Sequence, residues 1–136
     1  MSIRVLLADD NRYVRNILRE ILEVSGEVEV VGEAADGAEL LEKAGTPGTD
    51  VYLVDIQMPV MDGIEAIGCL KARNPGCRVL VLSMYSDSAL VERALSAGAN
   101  GYLLKANAAA ELLPAIKKVC GGGSYLDATL RPKGQQ

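Results

Sequence analysis

The chain has 136 residues, a formal net charge of −4, 49% apolar and 24% charged residues. That length fits one domain with a buried core, and the acidic balance argues against non-specific nucleic-acid binding by this segment. Histidine is absent, which excludes a Ser-His-Asp triad, a histidine-ligated zinc site and an internal phosphohistidine donor.

Tryptophan and phenylalanine are absent too, so the core must be aliphatic. The MSIRVLLADD start has too short an apolar run for a signal peptide, and no stretch is long enough to cross a bilayer. Cys69, Cys77 and Cys120 form an odd set without metal spacing, which suits a reducing cytosol and a filler role.

Strands and helices alternate along the chain. IRVLLA, Ile3 to Ala8, is an apolar run bounded by acids and predicts a buried strand. Beyond Asn11, Val14, Ile17, Leu18, Ile21 and Leu22 recur at helical spacing and predict one buried face, with Arg12, Arg15, Arg19, Glu20 and Glu23 solvated. Gly26 ends that helix; EVEVVGE, Glu27 to Glu33, alternates as a second strand. DGAELLEKA starts a helix capped by Asp36, and TPGTD is a loop before the third strand, VYLVD.

Asp62-Gly63 reads as a turn and cap for a helix over GIEAIGCLKAR, which Asn74-Pro75-Gly76 closes. CRVLVLS (Cys77 to Ser83) and NGYLLK (Asn100 to Lys105) predict the fourth and fifth strands, with SDSALVERALSAGA a helix between them. NAAAELLPAIKKVC is the last helix, where Pro114 removes a hydrogen bond. From residue 121 the periodicity is lost, so residues 121–136 read as a tail or the start of a linker. The alternation calls for an α/β fold with a parallel sheet covered by helices on both faces.

In such sheets ligands bind beyond the carboxyl ends of the strands. Those ends carry Asp9 and Asp10, Asp55, Ser83 and Lys105. Each alone is readily a cap, a loop acid, a turn residue or a surface charge, but together they fall at matching ends of four strands. Close carboxylates repel, and a hard divalent cation relieves the repulsion; oxygen donors favour Mg²⁺. One carboxylate is then placed to take a phosphoryl group, with lysine and hydroxyl meeting its oxygens.

LLADD, VDIQMPVMDG, VLSMYSD and GYLLK resemble, in order from about Ile3 to Cys120, the signatures of the receiver domain of two-component response regulators. The resemblance implies a flavodoxin/CheY-like doubly wound (βα)5 fold, strand order 2-1-3-4-5, over residues 1–120. By position, Asp55 resembles the phospho-acceptor, Asp10 the direct metal ligand with Asp9 beside it, and the Gln57 backbone carbonyl the third metal contact. Ser83 and Lys105 match the hydroxyl and lysine positions, and Tyr102 the aromatic switch whose ring turns inward when the hydroxyl engages phosphate. The implied cofactor is Mg²⁺, with Mn²⁺ able to substitute. The implied location is the cytoplasm, and the implied partner is a sensor histidine kinase, with homodimer formation on phosphorylation.

LSMYSDSALVERALSAGANGYLLKANAAAELLPAI followed by GGGSYL is similar to receivers of the NarL/FixJ type, which usually precede a LuxR-like DNA-binding domain. The expectation is therefore a transcription regulator that reaches DNA through an output domain beyond this segment; a stand-alone receiver working through protein contacts is the alternative. Ala106 departs from the frequent Lys-Pro pair of the family. A haloacid dehalogenase-like phosphohydrolase would want a second aspartate where Gln57 stands. A pseudo-receiver would lack an acid or the lysine.

Overall fold

The computed structural model describes residues 2–45 and 47–130. The elements run β1 (Ile3–Ala8), α1 (Arg12–Val24), β2 (Val28–Ala34), α2 (Gly37–Lys43), β3 (Val51–Val54) and α3 (Gly63–Arg73). They continue β4 (Val79–Ser83), α4 (Ser88–Ser96), β5 (Gly101–Leu104), α5 (Ala108–Cys120) and β6 (Tyr125–Leu126). All pairings are parallel, in the order β2-β1-β3-β4-β5-β6. This is the expected doubly wound α/β fold with one strand added.

Alternate residues of each strand feed two separate cores, as a period of two requires. Leu6, Ala8, Tyr52, Val54, Val79, Val81 and Tyr102 pack with Leu40, Ala66, Ile67, Leu70, Val91 and Ala94 of α2, α3 and α4. Val5, Leu7, Val51, Leu53, Leu80, Leu82 and Leu103 pack with Leu18, Leu22, Leu112, Ile116 and Val119 of α1 and α5. A sheet covered on both faces explains why its strands read as unbroken apolar runs.

The helix starts follow from their caps. Asn11, Asp36, Asp62 and Asp87 each accept backbone N–H groups of the first turn they precede. Pro114 is accommodated because it sits on the exposed side of α5.

Four details depart from the sequence expectation. Ile17, assigned to the buried face of α1, is 56% exposed, because α1 turns only Leu18 and Leu22 fully into the core. The second strand begins and ends one residue later, at Val28 and Ala34, the third ends at Val54, just before Asp55, and the fourth and fifth begin at Val79 and Gly101. Lys105 is not the end of a strand: Leu104, opposite Ser83, is the last paired residue, and Lys105 opens a 3-10 turn over Lys105–Asn107. Finally, Tyr125–Leu126, read as part of an aperiodic tail, adds an edge strand to β5 through Gly101 and Tyr102. Two residues are too few to carry a period; the free edge of β5 dictates their conformation. The remaining expected linker residues, 131–136, lie outside the described residues.

Candidate functional site

The carboxyl ends of β1, β3, β4 and β5 meet along one rim of the sheet. Asp55 follows β3, its N–H bonded to the carbonyl of Ala8 at 2.8 Å, so the strand pairing itself fixes where its side chain begins. Asp9 is held the same way, its N–H on the carbonyl of Ala34 at 3.0 Å. Both are buried, Asp9 at 2% exposure and Asp55 at 5%. Asp10 is exposed beside them, and carboxylate oxygens of Asp9, Asp10 and Asp55 lie within 4.8 Å of one another.

The Lys105 ammonium enters from the other side, 2.8 Å from Asp9 Oδ2 and 2.9 Å from Asp55 Oδ2. Asp55 Oδ1 accepts from the N–H of Gln57, and Asp9 Oδ1 from that of Asn11, both at 2.9 Å. Three carboxylates against one ammonium leave the rim with surplus negative charge. Burial pushes the Asp55 carboxyl above the ordinary range, against the Gln57 N–H and Lys105, and the charge of Asp9 adds to the push. Burial works against the charge on Lys105, but Asp9 and Asp55 outweigh it and hold its pKa above normal.

A hard divalent cation fits this donor set. The donors are all oxygen, the surplus charge is negative, and Asp9 Oδ2 is buried with no aligned hydrogen bond, only its ion pair to Lys105.

Ser83, at the end of β4, is fully buried, and its Oγ accepts the N–H of Tyr85 at 3.0 Å. The Tyr102 hydroxyl is within its hydrogen-bonding reach as well. Tyr102, on β5, is also fully buried, with its hydroxyl donating to the carbonyl of Tyr85 at 2.7 Å. Its ring lies inward, under the loop after β4; burial raises its pKa. The peptide between Lys105 and Ala106 is trans.

The loop after β3 is built tightly over the site. Gly63 brings its N–H to the carbonyl of Ile56 at 3.1 Å, and Gly37 its N–H to that of Met61 at 3.2 Å. A Cβ on Gly37 would stand 2.3 Å from the Met61 oxygen. Between these anchors Val60 holds φ at 69°, a left-handed conformation that β-branched residues rarely adopt.

The structure therefore gathers Asp9, Asp10, Asp55 and Lys105 into one cluster, with Gln57 bound to it through its backbone. Ser83 and Tyr102 sit on the neighbouring strands. Three further side chains were not singled out from the sequence. Arg15, read as solvated, donates to the Asp9 carbonyl at 2.6 Å and to Glu33 at 2.8 Å. Asp127 is buried at the end of β6. SYLD repeats the VYLVD pattern of an apolar strand closed by an aspartate, and that was its signal. Arg15 and Glu33 had none.

Residues 5–117 match the model of the response regulator receiver domain. The chain belongs to this family. Among its relatives is the transcriptional regulatory protein LnrK of Bacillus subtilis, 38% identical over 128 residues, covering 94% of this chain and 58% of that protein. The receiver also superimposes on a LuxR-family two-component response regulator from Aurantimonas, with TM-score 0.91 and 31% identity over 96% of this chain and 93% of that one. A third likeness is the isolated receiver of RcsB from Salmonella enterica in the presence of phosphomimetic BeF3⁻. It has TM-score 0.86 and 28% identity over 96% of each chain. The chain spans 53–61% of the length of the first curated relatives, which are response regulators and transcriptional regulatory proteins. Among the described residues no helix is long and apolar enough to cross a membrane.

Proposed function

We propose that this receiver takes a phosphoryl group from the histidine of a sensor kinase onto Asp55. The observation that carries the reading is the Lys105 ammonium, 2.9 Å from Asp55 and 2.8 Å from Asp9, at the shared rim of strands remote in sequence. An Asp55 carboxylate oxygen attacks phosphorus, the bond from phosphorus to the donor imidazole nitrogen breaks, and its electron pair returns to the imidazole. Lys105 meets one phosphoryl oxygen, and the Ser83 hydroxyl, at the end of β4, donates to another. Asp9, Asp10, Asp55 and the Gln57 carbonyl would hold Mg²⁺. Bound there, the ion offsets the charge of the acids and of the transferred oxygens.

Ser83 engagement draws the loop after β4 toward Asp55, and the inward Tyr102 ring, bonded to Tyr85 in that loop, favours the drawn-in arrangement. The surface of α4, β5 and α5 then reports phosphorylation by changing self-association or contact with an output domain. The names of the relatives support transcription control as that output, exercised in the cytoplasm through a LuxR-type DNA-binding domain.

The test is incubation with acetyl phosphate and Mg²⁺ followed by intact-mass measurement. The reading expects a gain of one phosphoryl group, absent in Asp55→Asn and without Mg²⁺. Persistence of the gain in Asp55→Asn would overturn it.

A further inference from the structure

Beyond α5 lies a side chain that the phosphoryl chemistry above leaves unused. Asp127 is 0% exposed. Its carboxylate accepts from the N–H of Leu104 at 2.9 Å and from the Asn107 amide at 3.0 and 3.1 Å. The Thr129 N–H and hydroxyl add bonds of 2.9 and 2.8 Å. A carboxylate this deep survives as an anion only when its oxygens are met in this way. Burial works against its charge, but these donors outweigh it and hold its pKa below the usual range.

Two of these partners bracket Lys105. Leu104 precedes it, and Asn107 closes the 3-10 turn that Lys105 opens. That turn has no side-chain cap, and Asn107, although at the N-cap of α5, makes no capping bond to the helix. Its amide is committed to Asp127. With Ala106 after the lysine, no pyrrolidine ring stiffens the turn either. Asp127 is itself anchored. Its N–H bonds the Tyr102 carbonyl at 2.8 Å, while Tyr125 Oη and the Ala128 N–H hold Glu111 of α5 at 2.6 and 3.2 Å.

We propose that Asp127 is a positioning residue for Lys105: it grips the turn on both sides and so fixes where the ammonium stands between Asp9 and Asp55. A lysine aims its charge through four flexible bonds, so a displaced Cα spoils the geometry at the far end. The segment up to Leu130 is then part of the site's scaffold. The consequence for phosphoryl transfer rests on the acceptor reading above; the placement of the ammonium does not.

The experiment is a double-mutant cycle on the full chain, measuring the rate of phosphoryl gain from acetyl phosphate with Mg²⁺ in wild type, Asp127→Ala, Lys105→Ala and the double variant. The expected result is a slowing of about tenfold or more for Asp127→Ala when Lys105 is present. With Lys105 replaced, Asp127→Ala should change the rate by less than about twofold. Equal slowing in both backgrounds, or none, overturns the proposal. A second readout is the nitrogen resonance of the Lys105 ammonium, assigned by its loss in Lys105→Ala. It should move to the position of a solvent-exposed lysine in Asp127→Ala, and an unmoved signal overturns the proposal. If wild type takes up no phosphoryl group, the acceptor reading fails, and the ammonium signal alone decides the positioning. Should Asp127→Ala not fold, Asn107→Ala releases one side of the grip and runs through the same cycle.

Discussion

A Cβ on Gly63 would stand 2.3 Å from the carbonyl oxygen of Asp55 and 2.6 Å from the Cα of Ile56. The first turn of α3 therefore rests directly on the backbone of the acidic site, with no room for a side chain. Gly63→Ala must push backbone against backbone, which is overpacking of the rigid kind and costs about 1–3 kcal/mol. Urea unfolding should show that loss, and phosphoryl gain should slow in the fraction that remains folded. An unchanged unfolding midpoint would mean that the loop yields without cost.

The surplus negative charge at the rim makes stability depend on a divalent cation. Mg²⁺ that binds the folded chain alone stabilises it by about 2.7 kcal/mol at a hundredfold excess over its dissociation constant. The melting temperature should rise with Mg²⁺ in wild type and much less in Asp10→Asn, whose exposed carboxylate has no structural bond to lose. Without Mg²⁺, Asp10→Asn should be at least as stable as wild type, because it relieves repulsion from Asp9 and Asp55. Equal Mg²⁺ shifts in the two proteins would place the ion elsewhere.

The fold and most of the site were legible in the sequence for the same reason. An apolar strand buried on both faces has no use for a charge, so a polar residue at its end marks the rim: Asp9, Asp55 and Ser83 were found this way. Lys105 was found by the same rule; like Asp9 and Asp55 it lies one residue past its strand, whereas Ser83 closes β4 itself. What escaped depends on tertiary partners. Ile17 has the spacing of a core residue, but the amount of α1 that α5 covers is not written in α1. Arg15 looks like any exposed arginine until Glu33 and the Asp9 carbonyl come within reach. Tyr125–Leu126 becomes a strand only because β5 offers an edge.

Tyr102 separates packing from hydrogen bonding. Its ring is fully buried in the core that also holds Val81, Val91 and Ala94, and truncation to alanine should cost about 3–5 kcal/mol. Tyr102→Phe keeps the ring and loses the hydroxyl's bonds to the Tyr85 carbonyl and Ser83, about 1 kcal/mol each. Its larger effect should fall on the loop after β4, seen as faster amide exchange at Met84 and Tyr85, with a smaller change in unfolding midpoint than Tyr102→Ala brings. Unchanged exchange there would show that the hydroxyl does not hold the loop.

Acid should loosen the site through Glu33. Its carboxylate takes Arg19 on one oxygen and Arg15 at 2.8 Å on the other, and Arg15 in turn holds the Asp9 carbonyl at 2.6 Å. The Arg19 hydrogen bond lowers its pKa most; burial opposes, and Arg15 adds to the lowering. A carboxyl whose folded pKa is depressed contributes stability above its unfolded value, about 4.3, and that contribution is lost as pH falls through the folded pKa. Glu33→Gln should therefore be less stable than wild type by about 1–2 kcal/mol near pH 7. The gap should close as pH falls below about 4 through the depressed folded pKa, because wild type then carries a neutral group as well. Urea midpoints across that range measure it, and a gap constant with pH would assign the loss to shape, not to charge. Because Arg15 links Glu33 to the backbone of Asp9, Mg²⁺-dependent stabilisation should also weaken in Glu33→Gln, although Glu33 itself is not among the clustered carboxylates.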